Sequence, residues 1–326
     1  MRARQRGVAL ITAMLIVAIV ATLATSLALG QQVWLRQTQN LVDLAQAERL
    51  RQGALEFAAA ILARDAKNGQ TSGTDNLDED WAKTIPPLPV EGGAILISIA
   101  DAQARLNLNN LIQPPRPGQA QSGGPSTDYV GAYRQLLTLL GLNPQLADAL
   151  LDWMDTDATA QADGAEDIDY LNHDPPYRAA NRPLTSVDEL RLIKGYTEDV
   201  VEKLRPYVIV LPAPGQSPVN VNTASATVLA ALTNTSIAQT EQIVSARANN
   251  PFKDVGQFQK LLPGKTLNPS NYAVTSGYFI VSVETRIGRT QRRSEALVER
   301  PAGGANVRAL WYRQPAVKIV LDEDKA

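Results

Sequence analysis

The chain has 326 residues, 44% hydrophobic and 20% charged, room for two compact domains or for one domain with a large insertion. Its formal net charge of -2 supplies no electrostatic reason to expect nucleic acid as a ligand. The lack of cysteine excludes disulfides, thiolate metal sites and cysteine nucleophiles, and the single histidine, His173, excludes any mechanism needing two imidazoles.

Residues 8–29 read VALITAMLIVAIVATLATSLAL, without a charge. As a helix this stretch reaches about 33 Å, enough to cross a hydrocarbon core of roughly 30 Å. Arg2, Arg4 and Arg6 precede it and the first acidic residue is Asp43, so the positive-inside rule leaves the leader in the cytoplasm and exports the body. A removable signal peptide cut near Gly30 is the alternative. Against it stand the length of the apolar run and the helix-favouring sequence that continues through Leu41, Leu55, Ala58 and Leu62 without a proline. The expectation is a retained helix over residues 8–66.

The basic leader ending in Arg6-Gly7, followed at once by Val8-Ala9-Leu10-Ile11-Thr12, resembles the type III leader of type IV pilins and pseudopilins. The resemblance implies that a prepilin peptidase cuts between Gly7 and Val8 and that the new N-terminus is methylated. Most members carry glutamate at the fifth mature position, where this chain has Thr12. A membrane carboxylate is costly unless paired, and in the family it is thought to meet the N-terminal amine of the subunit below. Its absence fits a subunit with no neighbour beyond its N-terminal end, and is typical of the K-type minor pseudopilin of type II secretion systems.

After Asn68 a loop leads to residues 94–99, AILISI, a β-type run, and residues 104–109 alternate apolar and polar as a further strand or extended edge. Residues 114–126 read as a flexible loop. Between about 128 and 270 lies helical sequence with a diverged repeat. Helices over 133–140 and 145–154 flank a 141–144 turn and lead to the segment opened by Pro183; helices over 224–232 and 237–247 flank a 233–236 turn and lead to the one opened by Pro251. The second copy also resembles helix-hairpin-helix modules of DNA-uptake proteins. Its hairpin, Thr233 to Ile237, has no glycine to let phosphate approach the backbone, so a structural helical pair is the better reading. Residues 278–286 and 294–298 form a hairpin about a 287–289 turn, and 307–312 and 317–321 could add two strands.

From Gln135 to Tyr177 there is no lysine or arginine, while nine carboxylates are interleaved with Trp153, Met154, Ile168, Tyr170 and Tyr177, which want burial. Crowded carboxylates beside a core raise one another's pKa unless a cation intervenes, and oxygen donors in a loop suit calcium. Counted as an EF-hand from Asp155, the loop has Ala160 where the invariant glycine belongs. A catalytic carboxylate pair is the competing idea, with nothing else in the chain to support it. The stretch from Asp152 through Asp157, Gly164 to Asp167, Tyr170 and Pro176 to Leu184 resembles the K-type signature, whose members carry structural calcium here. On that resemblance Asp155, Asp157, Glu166 and Asp167 are the first ligands expected, with Asp163 and Asp169 behind them.

The resemblance implies an α+β fold. It divides into a leader over 1–7, a pilin-like helix over 8–66 with its transmembrane part at 8–29, a small antiparallel β-region from 67–109 and 271–326, and an inserted helical domain over 110–270. That domain carries the acidic segment 152–174. The implied protein is not an enzyme. It sits single-pass in the bacterial inner membrane with a periplasmic body, at the tip of a pseudopilus with the I-type and J-type minor pseudopilins. It initiates assembly, meets the inner-membrane secretion platform and contacts secreted substrates. The alternative is a membrane-tethered helix-hairpin-helix nucleic-acid-binding protein.

Overall fold

The computed structural model describes residues 3–67, 73–113, 124–212, 216–288, 290–304 and 306–314. Most of 114–126 and all of 317–321 lie outside them.

A single helix, α1 (Ala3–Lys67), opens the chain. At 1.5 Å per residue its 65 residues span about 98 Å. Its side chains from 9 to 42 are exposed, among them Leu10, Ile16, Leu23 and Trp34. The character then changes. Ala47, Ala54, Ala58 and Leu62 recur on one face at helical spacing and are buried. The small alanine side chains let α1 lie close on a sheet, and Leu62 fills the contact at its end.

That sheet begins with β1 (Leu88–Val90), a short edge strand that the sequence pattern does not reveal, and β2 (Gly93–Asp101). In β2 the buried Ile95, Ile97 and Ile99 alternate with outward-facing residues, the period of a strand with one covered face. The expected strand over 104–109 shrinks to β3 (Leu106–Asn107) between two 3-10 turns, Ala102–Ala104 and Leu108–Leu111. Its polar members point inward rather than out. The Asn107 side chain accepts from the Leu211 amide, Asn109 accepts from the Leu184 amide and donates to the Leu184 and Leu211 carbonyls, and Asn110 exchanges hydrogen bonds with Ser217. Buried amides satisfied by distant backbone replace the half-exposed edge suggested by the alternation.

The helical repeat follows. Its first copy is α2 (Thr127–Leu139) and α3 (Leu146–Met154), then the one-turn α4 (Asp167–Tyr170), a 3-10 segment at Val187–Leu192, and α5 (Glu198–Leu204). Two-residue strands β4 (Val208–Ile209), parallel to β3, and β5 (Val219–Asn220) connect it to the second copy. That copy is α6 (Ala226–Thr233), α7 (Ile237–Asn249) and α8 (Val255–Lys260). At the hairpin Asn234 takes a left-handed conformation, the Thr235 amide donates to Ala230, and Ser236 caps α7 by accepting from the Gln239 amide. The core around Leu136, Leu150, Trp153 and Leu190 belongs to the first copy, and that around Val228, Ile243, Phe252 and Phe258 to the second.

The chain returns to the sheet through β6 (Tyr272–Ala273), parallel to β5, then β7 (Tyr278–Ile287), β8 (Thr290–Glu299) and β9 (Arg308–Arg313). The five-stranded order is β1-β2-β7-β8-β9, antiparallel throughout. Ile287 pairs with Thr290, so two residues join β7 and β8, with Gly288 at φ 54°. Phe279, Val281, Val283, Ala296 and Val298 face α1 with the β2 isoleucines. The architecture is α+β: a long apolar-headed helix, an antiparallel sheet, and helices inserted between its second and third strands in chain order around the hairpin.

Candidate functional site

The acidic loop is shaped by its first carboxylate. Asp152, in the last turn of α3 and 0% exposed, accepts from the backbone amides of Gln161 and Ala165 at 3.1 and 2.9 Å, folding residues 155–166 back onto the helix. Gly164 packs against this carboxylate so closely that a Cβ there would lie 1.7 Å from Asp152 Oδ2. The aromatic residues hold the loop from beneath. Trp153 meets Tyr170 edge-on at 5.1 Å, Tyr170 stacks on Tyr177 at 5.4 Å, and Trp153 Nε1 donates to Glu189.

On this frame Asp155, Asp157 and Glu166 converge, each offering an oxygen within 4.8 Å of the others. Asp155 Oδ1 and Glu166 Oε1 are buried and have no hydrogen-bond partner among the described residues. Desolvation first, then the charges of Asp157, Asp152 and Glu166, push Asp155 up to about 7. Desolvation, with Asp152, Asp157 and Asp167 adding repulsion, raises Glu166 as well. Unpartnered oxygen donors that repel one another are what a hard divalent cation satisfies. The donor set therefore fits calcium.

The other expected ligands are turned elsewhere. Asp167 spends one oxygen on Arg178 and the other on the Ala179 amide, each at 3.0 Å. Asp169 accepts from the Glu166 amide, closing a capping box on α4, and lies 3.5 Å from Lys194. Asp163 is exposed and outside the converging group. Sequence pattern does not distinguish Asp152, the organiser of the loop, from its neighbouring carboxylates, although it stands one turn before Asp155.

A second carboxylate group, Asp65, Asp75 and Glu79, also converges within 4.8 Å. It had no local signal, because its cation comes from Arg300. The Arg300 guanidinium reaches Asp65 at 2.7 Å and Asp75 at 2.5 Å, and donates to the Ser276 carbonyl. Ser276 in turn donates to the buried Asp101, which also accepts from Thr223, Asn220 and the Gln103 amide. Glu79 accepts from Trp81 Nε1 at 2.6 Å, and burial, reinforced by Asp65 and Asp75, pushes it up to about 7. This network ties the end of α1 to the sheet and, through Asn220 and Thr223, to the helical region.

Residues 104–213 and 219–277 match two family descriptions, both reading "Type II secretion system (T2SS), protein K". The chain is 37% identical over 316 residues to type II secretion system protein K of Pseudomonas aeruginosa, covering 93% of this chain and 91% of that protein. It is 33% identical over 313 residues to the protein of that name from Klebsiella pneumoniae, covering 92% and 94%. Among solved structures it resembles a chain in the crystal structure of the GspK-GspI-GspJ complex from the enterotoxigenic Escherichia coli type 2 secretion system. The TM-score is 0.74 at 26% identity, with 86% of this chain and 99% of that one covered.

Proposed function

The chain belongs to the type II secretion system protein K family, the K-type minor pseudopilins, and we propose that it stands at the tip of a pseudopilus with I-type and J-type minor pseudopilins, initiates its assembly and contacts secreted substrates. One observation carries this reading. A continuous helix presents an exposed apolar half while its other half is fixed to the sheet through Ala54, Ala58 and Leu62. Such an element is an anchor while in the bilayer and a packing stem once in a filament. Thr12 is uncharged and its hydroxyl donates to the Ala9 carbonyl of its own helix at 3.0 Å, so this position presents no carboxylate to an amine on another subunit. Bulk on the helical region suits a subunit to which nothing is added above.

On this reading the chain is held single-pass in the inner membrane with a periplasmic body. A prepilin peptidase cuts it between Gly7 and Val8, Val8 is methylated, and the inner-membrane secretion platform extracts it. The role is structural rather than enzymatic. Calcium held by Asp155, Asp157 and Glu166 would neutralise the loop and fix it against Trp153 and Tyr170. The test is co-purification of the full chain with I-type and J-type pseudopilins from detergent-solubilised membranes. A stable three-subunit complex is expected; a chain that stays alone while the I-type and J-type proteins pair with each other contradicts the proposal.

A further inference from the structure

The sheet face that α1 covers changes character toward the β7–β8 turn. Phe279, Val281 and Val283 alternate along β7 toward the helix, and the same period brings Thr285 next; on β8 it brings Arg292 and Ser294 before Ala296. Thr285 stands directly opposite Arg292, and Val283 opposite Ser294. Apolar packing gives way here to a polar pocket of about 210 Å³ between these strands and residues 44–51 of α1.

Two arginines share one acid in it. Arg51 Nε donates to Glu48 at 2.9 Å while its guanidinium lies over the Tyr312 ring at 4.6 Å, and Arg292 Nη1 donates to Gln314 Oε1 at 3.1 Å. The Arg51 hydrogen bond, with the charges of Arg51 and Arg292 adding to it, holds Glu48 below the usual carboxylate range. Glu48 is therefore ionised, and one positive charge is left over. Arg293 also lines the wall; its neighbour Glu295, at 3.7 Å, is already held by Arg313 at 2.8 Å. The hydroxyls add a second signal. Ser294 is 5% exposed and donates to the Val283 carbonyl at 3.4 Å. Thr285 is 1% exposed, and its hydroxyl makes no hydrogen bond among the described residues. A buried hydroxyl without a partner costs free energy, and guanidiniums beside hydroxyls are the donors that an oxyanion satisfies.

We propose that this pocket binds a phosphate group, that of a phospholipid headgroup or of the free anion, with Arg292 and Thr285 as its principal contacts and Arg51 and Ser294 beside them. The four oxygens of a phosphate point tetrahedrally, so donors arriving from α1 and from two strands can each meet one, whereas a planar carboxylate presents two. The pocket is smaller than the roughly 300 Å³ at which drug-sized sites begin, which suits a small headgroup. The bilayer supplies phosphate close by. No charge lies between Arg6 and Arg36, so α1 meets the headgroups near Arg36, and Leu44, at the near end of the pocket, is about 12 Å further along the helix.

The test is calorimetric titration of the full chain in non-ionic micelles at fixed ionic strength. The probes are glycerophosphoglycerol, the water-soluble headgroup of phosphatidylglycerol, and inorganic phosphate. One saturable site per chain is expected, weakened about tenfold or more by Arg292→Gln and several-fold by Thr285→Val. Thr285→Val should melt no lower than the parent without ligand, because it removes an unpartnered hydroxyl, so its loss of affinity cannot come from unfolding. Arg286→Gln, at an exposed arginine on the opposite face of β7 that pairs with Glu284, should leave the affinity unchanged. Tighter binding of glycerophosphoglycerol supports the site with the lipid as its source, and tighter binding of inorganic phosphate supports it with the free anion. Absence of saturable binding, affinity indifferent to Arg292→Gln and Thr285→Val, or equal affinity for acetate overturns the proposal.

Discussion

Removing the calcium proposed for the acidic loop should loosen that loop measurably. Each orphaned oxygen, Asp155 Oδ1 and Glu166 Oε1, costs about 1–3 kcal/mol when buried without a partner, so an ion that satisfies both relieves a penalty of several kcal/mol. Read as linkage, calcium at about one hundred times its Kd adds roughly 2.7 kcal/mol to stability. For a body of this size that corresponds to a rise in Tm of about 5–10 °C. The assay is thermal unfolding of the full chain in micelles, in excess chelator and then in calcium. Asp155→Asn sharpens it, because removing one of the mutually repelling charges should raise the Tm in chelator while abolishing the response to calcium. The reasoning fails if the parent melts at the same temperature with and without calcium, or if Asp155→Asn melts lower than the parent in chelator.

The Glu79 carboxyl, raised mainly by burial to about 7 from an ordinary 4.5, contributes stability that is intact below about 4.5 and is lost as pH rises through about 7. With calcium saturating, the denaturation midpoint should therefore fall between about pH 5 and pH 8, and Glu79→Gln should flatten that slope; an unchanged slope refutes the assignment. Arg300→Leu strands Asp65 and Asp75 without their shared cation and should cost about 3–5 kcal/mol in chemical denaturation; a loss below about 1 kcal/mol would mean that the network contributes little. Gly164→Ala drives a methyl into Asp152 Oδ2, so calcium affinity should drop about tenfold or more, a loss of at least about 1.4 kcal/mol, read by calorimetric titration; parental affinity would show that Asp152 does not shape the loop.

How much was legible in the sequence depended on whether the signal was local. The membrane-spanning stretch is a one-dimensional run of apolar residues, and α1 follows it closely. Gly288 between two alternating segments marked the β7–β8 hairpin, and the turns at 141–144 and 233–236 marked the two helical pairs. Residues 104–109 misled because periodicity counts a polar side chain as outward, whereas Asn107, Asn109 and Asn110 are buried amides serving backbone about 75 to 107 residues away. In the acidic segment composition alone could not separate the carboxylates. Asp167 and Asp169 are neighbours of Glu166 in sequence, but the turn of α4 directs them to Arg178, Ala179 and the cap. The Asp65, Asp75 and Glu79 group was invisible because Arg300 lies 235 and 225 residues beyond the two aspartates it pairs.

The central claim is that α1 is a processed assembly element rather than a plain anchor or a discarded signal. Mass spectrometry of the native N-terminus tests it most directly. A mature chain beginning at methylated Val8 is the predicted result; a chain beginning at Gln31, or one retaining the leader through Gly7 in cells with an active secretion system, contradicts it.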